Sequence, residues 1–254
     1  MADLSITAIA VAVCDEAVYR PAALLAEGHE FRQLAQGVAQ QAGTAPESLR
    51  LLPAGGQTPD VSALALGALG AEHRAEPLFL VRSGPLSDPY GALLARLVFE
   101  SGWEGEDVGI THLDELGGTV VFDLLRWAIP DGCGGTALIC DDPLFAEDHA
   151  GAAGRSRVAA AAVRVLRGPG ALRVLDCGEG APAPPADHAE HRLHGTRPGD
   201  GWIALRDAVA RQHVKNGDRV LIHTRGPLRE GWLLIEAVDI TGLQLLTADT
   251  SGTV

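Results

Sequence analysis

The stretch THLDELGGTVVFDLLRWA, Thr111 to Ala128, decides how the rest of the chain is read. It follows a short strand-like run, EDVGITHL, and passes through two acids and two glycines into a helical segment. That helix is expected to begin near Leu116 and to stop before Pro130, because proline removes a donor and clashes with the preceding turn. Asp114 and Glu115 sit where a helix start favours negative charge, worth about 0.3–1 kcal/mol each. Strand, tight turn and helix in direct succession form one unit of an α/β fold. What remains open is whether Glu115 only opens a helix or faces a site.

Outward from this unit the same alternation continues in both directions. SITAIAVAVC starts as a period-two strand, and HEFRQLAQGVAQQAG has helical spacing with Gly43 suited to end it. EPLFLVRSG reads as a short buried strand. DPYGALLARLVFESGW reads as a helix with Asp88 as N-cap and Pro89 at its first position. GGTALICDD is a continuous apolar run closed by two acids. AAAAVRVLRG and ALRVLDCGE read as neighbouring strands joined by the turn Gly168-Pro169-Gly170. After the linker APAPPAD come a helix, GWIALRDAVARQH, and two strands, DRVLIHTRG and GWLLIEAVD. Strands alternating with covering helices imply a layered α/β fold with buried strands.

Composition narrows the function. Of 254 residues, 46% are apolar, enough to bury a substantial core. Lys215 is the single lysine, and the Arg, Ala and Gly bias suggests a GC-rich bacterial coding sequence. The net charge of -13 argues against nucleic acid and against anionic membrane surfaces. No apolar run reaches the roughly 20 residues of a membrane span, and ITAIAVAVC lacks the basic flank of a signal peptide. The expected location is the cytoplasm. Cys14, Cys133, Cys140 and Cys177 have no CxxC pairing, so they read as small apolar residues in a reducing compartment. GDGW and RGPG are turn glycines without a phosphate-loop GK[ST], and GxSxG and HExxH are missing.

Two stretches carry a family resemblance: ITHLDELGGTVVFDLLRWAIPDGCGGTALICDDP, Ile110 to Pro143, and HGTRPGDGWIALRDAVARQHVKNGDRVLIHTRGPLREGWLLIEA, His194 to Ala237. Their order resembles the thiolase superfamily, most closely the type III ketoacyl-acyl-carrier-protein synthases. The first looks like that family's strand, nucleophile turn, buried helix and following strand. The second is similar to its C-terminal unit. The resemblance implies a thiolase-like layered fold with a complete first half, residues 1–180, a linker, 181–200, and a strongly shortened second half, 201–254.

The resemblance also assigns site positions. The family places a cysteine at the start of the buried helix, where the helix end lowers the thiol pKa. A histidine and an asparagine from the second half hydrogen-bond the thioester carbonyl. Aligning the family's Cys-x-Gly turn on Glu115-Leu116-Gly117 puts Glu115 in the nucleophile position, a poor acyl acceptor, in the reach of unpaired helix N–H groups. The Gly-Asn turn maps onto Gly195-Thr196, so a hydroxyl replaces an amide. The family histidine has no counterpart. His194, beside that turn, and His112, three residues before Glu115, are the remaining candidates near the site. His112 and Gly117 are the expected substrate-binding positions, and Glu115, His194 and Thr196 the vestigial catalytic ones. His188, His191 and His194 recur every third residue, which on a helix would align them as metal ligands do. They lack a matching fourth ligand, and neither a metal nor a cofactor is expected.

The resulting expectation is a catalytically silent subunit in fatty-acid-like or polyketide-like secondary metabolism. It would form a heterodimer with a full-length, cysteine-bearing synthase and complete or stabilise its substrate tunnel. Acyl carrier protein or acyl-coenzyme A is a further expected partner. The family pairs through an edge strand, which is assigned here to EPLFLVRSG. The competing expectation is a stand-alone decarboxylase, hydrolase or acyltransferase acting on an acyl thioester through Glu115. A third is a homodimeric binder of an acyl ligand.

Overall fold

The long first strand, β1 (Leu4–Val18), is the axis of the fold, and its sequence pattern shifts face along its length. Leu4 and Ile6 point into the same apolar cluster as Ile9 and Val11, whereas Ala8, Ala10 and Ala12 point into another. A simple period of two would put Ile6 with Ala8. The register against its neighbour slips between Ile6 and Ala8, so Thr7 is an inserted residue that reverses the alternation. Arg164 holds this irregularity by donating from Nη1 to the Thr7 hydroxyl at 2.9 Å, while its other nitrogens bind Glu76 at 3.0 and 2.6 Å. The computed structural model describes residues 3–21, 30–42, 45–52, 58–82, 93–142, 145–147, 155–182 and 186–250.

After β1 come β2 (Arg20–Pro21), α1 (Glu30–Ala42), β3 (Leu49–Leu51), α2 (Val61–Ala68), β4 (Leu78–Arg82), α3 (Leu93–Ser101) and β5 (Asp107–Ile110). Then follow α4 (Val121–Ala128), β6 (Gly134–Asp141), β7 (Phe145–Glu147), β8 (Arg155–Arg167), β9 (Leu172–Glu179) and β10 (His191–Gly195). The chain closes with α5 (Asp200–Ala210), β11 (Arg219–Arg225), β12 (Glu230–Ala237) and β13 (Gln244–Thr247). The main sheet has the order β10-β11-β12-β9-β1-β8-β6-β4-β5, and β13 lies parallel to β1. β2, β3 and β7 form a separate small sheet. The N-cap reading of Asp88 and Pro89 and the helix-ending reading of Gly43 fall outside the described residues.

One edge of β1 is shared. Ser5 and Ile6 pair with β9, and Ala8–Val11 pair with β13. The sheet therefore divides at this point into one arm, β8-β6-β4-β5, and another, β9-β12-β11-β10. Helices α4 and α5 share one apolar cluster with both arms: Phe79 and Val81 from one, Ile222 and Leu233 from the other, Phe122 and Leu125 from α4, Trp202 and Leu205 from α5. Phe122 and Trp202 stack with centroids 4.9 Å apart, and the Trp202 indole N–H donates to the Gly118 carbonyl at 2.8 Å. On the other face, α2 and α3 cover alanine-rich positions of β1, β6 and β8. Layered α/β packing with buried strands is thus the observed class.

Three expectations need correction. AAAAVRVLRG and ALRVLDCGE form β8 and β9, but β1 lies between them. Their connection wraps over the start of β1, where Gly168 N–H donates to the Asp3 carbonyl at 2.8 Å. EPLFLVRSG is not an edge: β4 is parallel-paired on both sides, with β5 and β6. The edge is β5, which among the described residues pairs only with β4. Finally, residues 191–195 in the stretch read as linker are a strand parallel to β11. Three-residue spacing on a strand sends His191 and His194 to opposite faces, so helical alignment of the histidines does not occur.

Candidate functional site

The chain leaves β5 at Ile110 and turns twice through left-handed backbone, at His112 (φ 64°) and Asp114 (φ 47°). For residues other than glycine this conformation is uncommon and marks local strain. A 3-10 turn over Asp114–Gly118 follows, and regular α-helix starts only at Val121. Glu115 consequently lies in the tight turn before α4. It is buried at 6% exposure.

The partners of its carboxylate are in the loop between β11 and β12. Leu228 N–H donates to Oε1 at 3.3 Å and Arg229 N–H to Oε2 at 2.9 Å. The expected helix-end donors are replaced by two amides from a segment more than a hundred residues away in sequence. Gly226 is packed so closely that a Cβ there would lie 2.1 Å from Glu115 Oε1. At the other end of the loop, a Cβ on Gly231 would meet Leu116 Cδ2 and Thr119 Oγ1, each at 2.6 Å. The Arg229 side chain continues outward into a forked pair with Glu179, at 2.9–3.0 Å. Glu115 is thus a filled socket: its oxygens are occupied by backbone donors, and the space in front is closed by glycine backbone.

Gly117 and Gly118 let the turn press on the segment leading to α5. A Cβ on Gly118 would stand 2.0 Å from the Pro198 carbonyl oxygen, and one on Gly117 3.0 Å from Val81 Cγ1. Both glycines are buried. The other candidate residues point elsewhere. His112 is exposed, with Nδ1 2.8 Å from the Thr111 hydroxyl. Thr196 is exposed, and its N–H and hydroxyl both donate to Asp200 Oδ2, at 3.1 and 3.4 Å. His194 is exposed on β10, edge-on to His223 at 5.4 Å, and His223 in turn pairs with Glu230 at 2.8 Å. Among the described residues, none of these three is a hydrogen-bond partner of Glu115, whose carboxylate is held by Leu228 and Arg229. Among the described residues no cluster of His, Cys, Asp or Glu could hold a metal ion.

A second buried carboxylate, passed over in the sequence as the end of an apolar run, lies at the carboxyl end of β6. Asp141 Oδ2 accepts the Gly199 N–H at 2.7 Å, just before α5. Burial pushes its carboxyl up to about 7. The Gly199 amide and Arg197 oppose that shift, and Asp200 and Asp142 add to it. Next to it Asp142 pairs with Arg82 at 2.9 Å. Burial also raises the Cys140 thiol far above its usual range, as expected of an inert buried cysteine. The visible sequence signal was the pair of acids closing GGTALICDD.

No protein-family model matches the chain, and no curated protein matches it. Solved structures do. ChlB3, an acyltransferase, is 13% identical and superposes with a TM-score of 0.60 over 93% of this chain and 98% of that chain. This is a thiolase-like fold. PksG, an HMG-CoA synthase from Bacillus subtilis, shares the thiolase-like fold at 11% identity and a TM-score of 0.60, over 95% of this chain and 81% of that one. OleA from Xanthomonas campestris does so at 11% identity and 0.55, over 92% and 98%. Glu115, expected from the sequence resemblance at the nucleophile position, lies in the turn before α4.

Proposed function

We propose that this chain is a catalytically silent, ketosynthase-like subunit. It pairs with a full-length, cysteine-bearing synthase of fatty-acid or polyketide-type metabolism and stabilises it or completes its substrate tunnel. The observation that carries this reading is the occupied carboxylate of Glu115. Catalysis of acyl transfer at this position needs a free nucleophile and preorganised donors aimed at the substrate oxygen. Here the donors nearest the turn, the amides of Leu228 and Arg229, are taken by the protein's own side chain. A carboxylate in that setting fastens a loop.

Among the described residues β5 has no second neighbour, which supports the pairing half of the proposal. A strand edge with free N–H and C=O groups is normally covered, and Val108 on β5 is 42% exposed. The likeness to ChlB3, PksG and OleA supports a biosynthetic setting. Acyl carrier protein or acyl-coenzyme A would meet the complex through the partner, because this chain's charge of -13 repels an acidic carrier.

A stand-alone enzyme acting on an acyl thioester through Glu115 is the second reading, favoured by the two left-handed residues leading into Glu115. Gentle purification of the tagged chain from its own host, followed by native mass determination, separates the two. An equimolar complex with a roughly full-length synthase is the expected result. A monomer or homodimer that turns over acyl thioesters would overturn the silent-partner reading.

A further inference from the structure

The carboxyl end of α3 builds a groove with the start of β5. α3 stops at Gly102, which adopts φ 63°. Gly102 N–H donates to the Phe99 carbonyl at 3.3 Å and Trp103 N–H to the Val98 carbonyl at 2.9 Å. These paired bonds are the glycine-terminated helix ending that brings the residue after the glycine against the last helical turn. Trp103 is locked in place: it is 6% exposed, and its indole N–H donates to the Glu76 carbonyl at 2.7 Å. Ala95, Val98, Phe99, Gly102 and Trp103 line an open cavity of about 520 Å³, with Phe99 at 86% exposure. A large aromatic so exposed next to a rigid apolar wall is the usual form of a docking patch.

The rim defines the occupant. Glu104 and Asp107 line the groove, and both are exposed. The loop carrying them is fixed, since Glu104 and Gly105 N–H both donate to the Arg74 carbonyl at 2.8 Å. Facing cations are few. Arg74 approaches Gly102, and Arg96 reaches Glu100 at 3.3 Å but is also engaged with Asp60. Glu104, Glu106 and Asp107 have no ion-pair partner among the described residues. Apolar wall, exposed ring and preorganised acids together select a cation with an apolar anchor; a lysine or arginine can also sit over the Phe99 ring.

We infer that the groove between α3 and β5 is a docking surface for a cationic amphipathic protein segment, one apolar side chain on Val98 and Phe99 and its basic residues on Glu104 and Asp107. This inference stands apart from the silent-subunit reading, since segment binding requires no synthase partner. The test is a titration of the full chain with a fluorescently labelled lysine/leucine amphipathic peptide and with its glutamate/leucine counterpart, at low and high salt. The expected result is binding of the cationic peptide alone. Phe99→Ala should weaken it about tenfold, and Glu104→Gln with Asp107→Asn should weaken it several-fold and flatten its salt dependence. Neutralising two acids elsewhere, Glu47→Gln with Asp176→Asn, should leave binding unchanged. No binding, equal binding of both peptides, or equal losses from the distant pair would overturn the inference; the last would mean that diffuse negative charge holds the peptide.

Discussion

Glu115 and Asp141 occupy the same kind of position at two places in the molecule. Each is a buried carboxylate following a strand of one arm, and each accepts backbone N–H from a segment that leads to or joins elements of the other. Glu115 receives two amides, from Leu228 and Arg229, and Asp141 receives one, from Gly199. Asp141 also faces like charge from Asp200 and Asp142, and its carboxyl titrates near neutrality. The contrast shows how a buried carboxylate serves as a clasp with different sets of donors around it.

The largest predicted effect removes the close approach between the turn before α4 and the segment leading to α5. Gly118→Ala forces a methyl group onto the Pro198 carbonyl and should cost about 3 kcal/mol or more, or prevent folding; soluble yield and thermal unfolding measure it. Trp202→Ala empties the stack between α4 and α5 and should cost about 3–5 kcal/mol, read as a drop in the urea midpoint with unchanged slope. Neither change touches a carboxylate, so both scale the packing against which the clasps are judged.

The Asp141 clasp should show itself in the response of stability to pH. The folded chain holds the Asp141 proton up to about 7, whereas the ordinary value is 3.8. The native state therefore binds more protons between these values, and this group's contribution to stability falls as pH rises through that window. Asp141→Asn should flatten the decline in stability between about pH 4 and pH 7, followed by urea unfolding at several pH values. A decline as steep as in the wild type would remove Asp141 from this role. At the small end, Glu179→Gln breaks an exposed fork with Arg229 and should cost no more than about 0.5 kcal/mol. A larger loss would mean that Arg229 positions its amide for Glu115 through that pair.

Much of the layered fold was legible, because α/β alternation shows in apolar runs punctuated by turns. GGTALICDD, DRVLIHTRG and GWLLIEAVD appear as β6, β11 and β12, and the helix after Gly199 as α5. Features set by distant contacts were not. The insertion at Thr7 is visible only against the register of β8, and the insertion of β1 between β8 and β9 cannot be read from a hairpin-like turn. α2 escaped notice because VSALALGA is apolar almost all round and shows no face. For the site, sequence could place Glu115 on the turn before α4. It could not show that the two donors completing its environment come from residues 228 and 229, and so it assigned them to the helix end.

The most direct test of the account is Glu115→Gln, with unfolding free energy and acyl-thioester turnover measured on the same preparations. If Glu115 is a clasp, the amide loses charge-assisted acceptance from Leu228 and Arg229, and stability should fall by about 1–3 kcal/mol. Neither protein should turn over the thioester. If the wild type turns it over and Glu115→Gln abolishes the rate while stability is unchanged, Glu115 is a catalyst and the silent-subunit account fails.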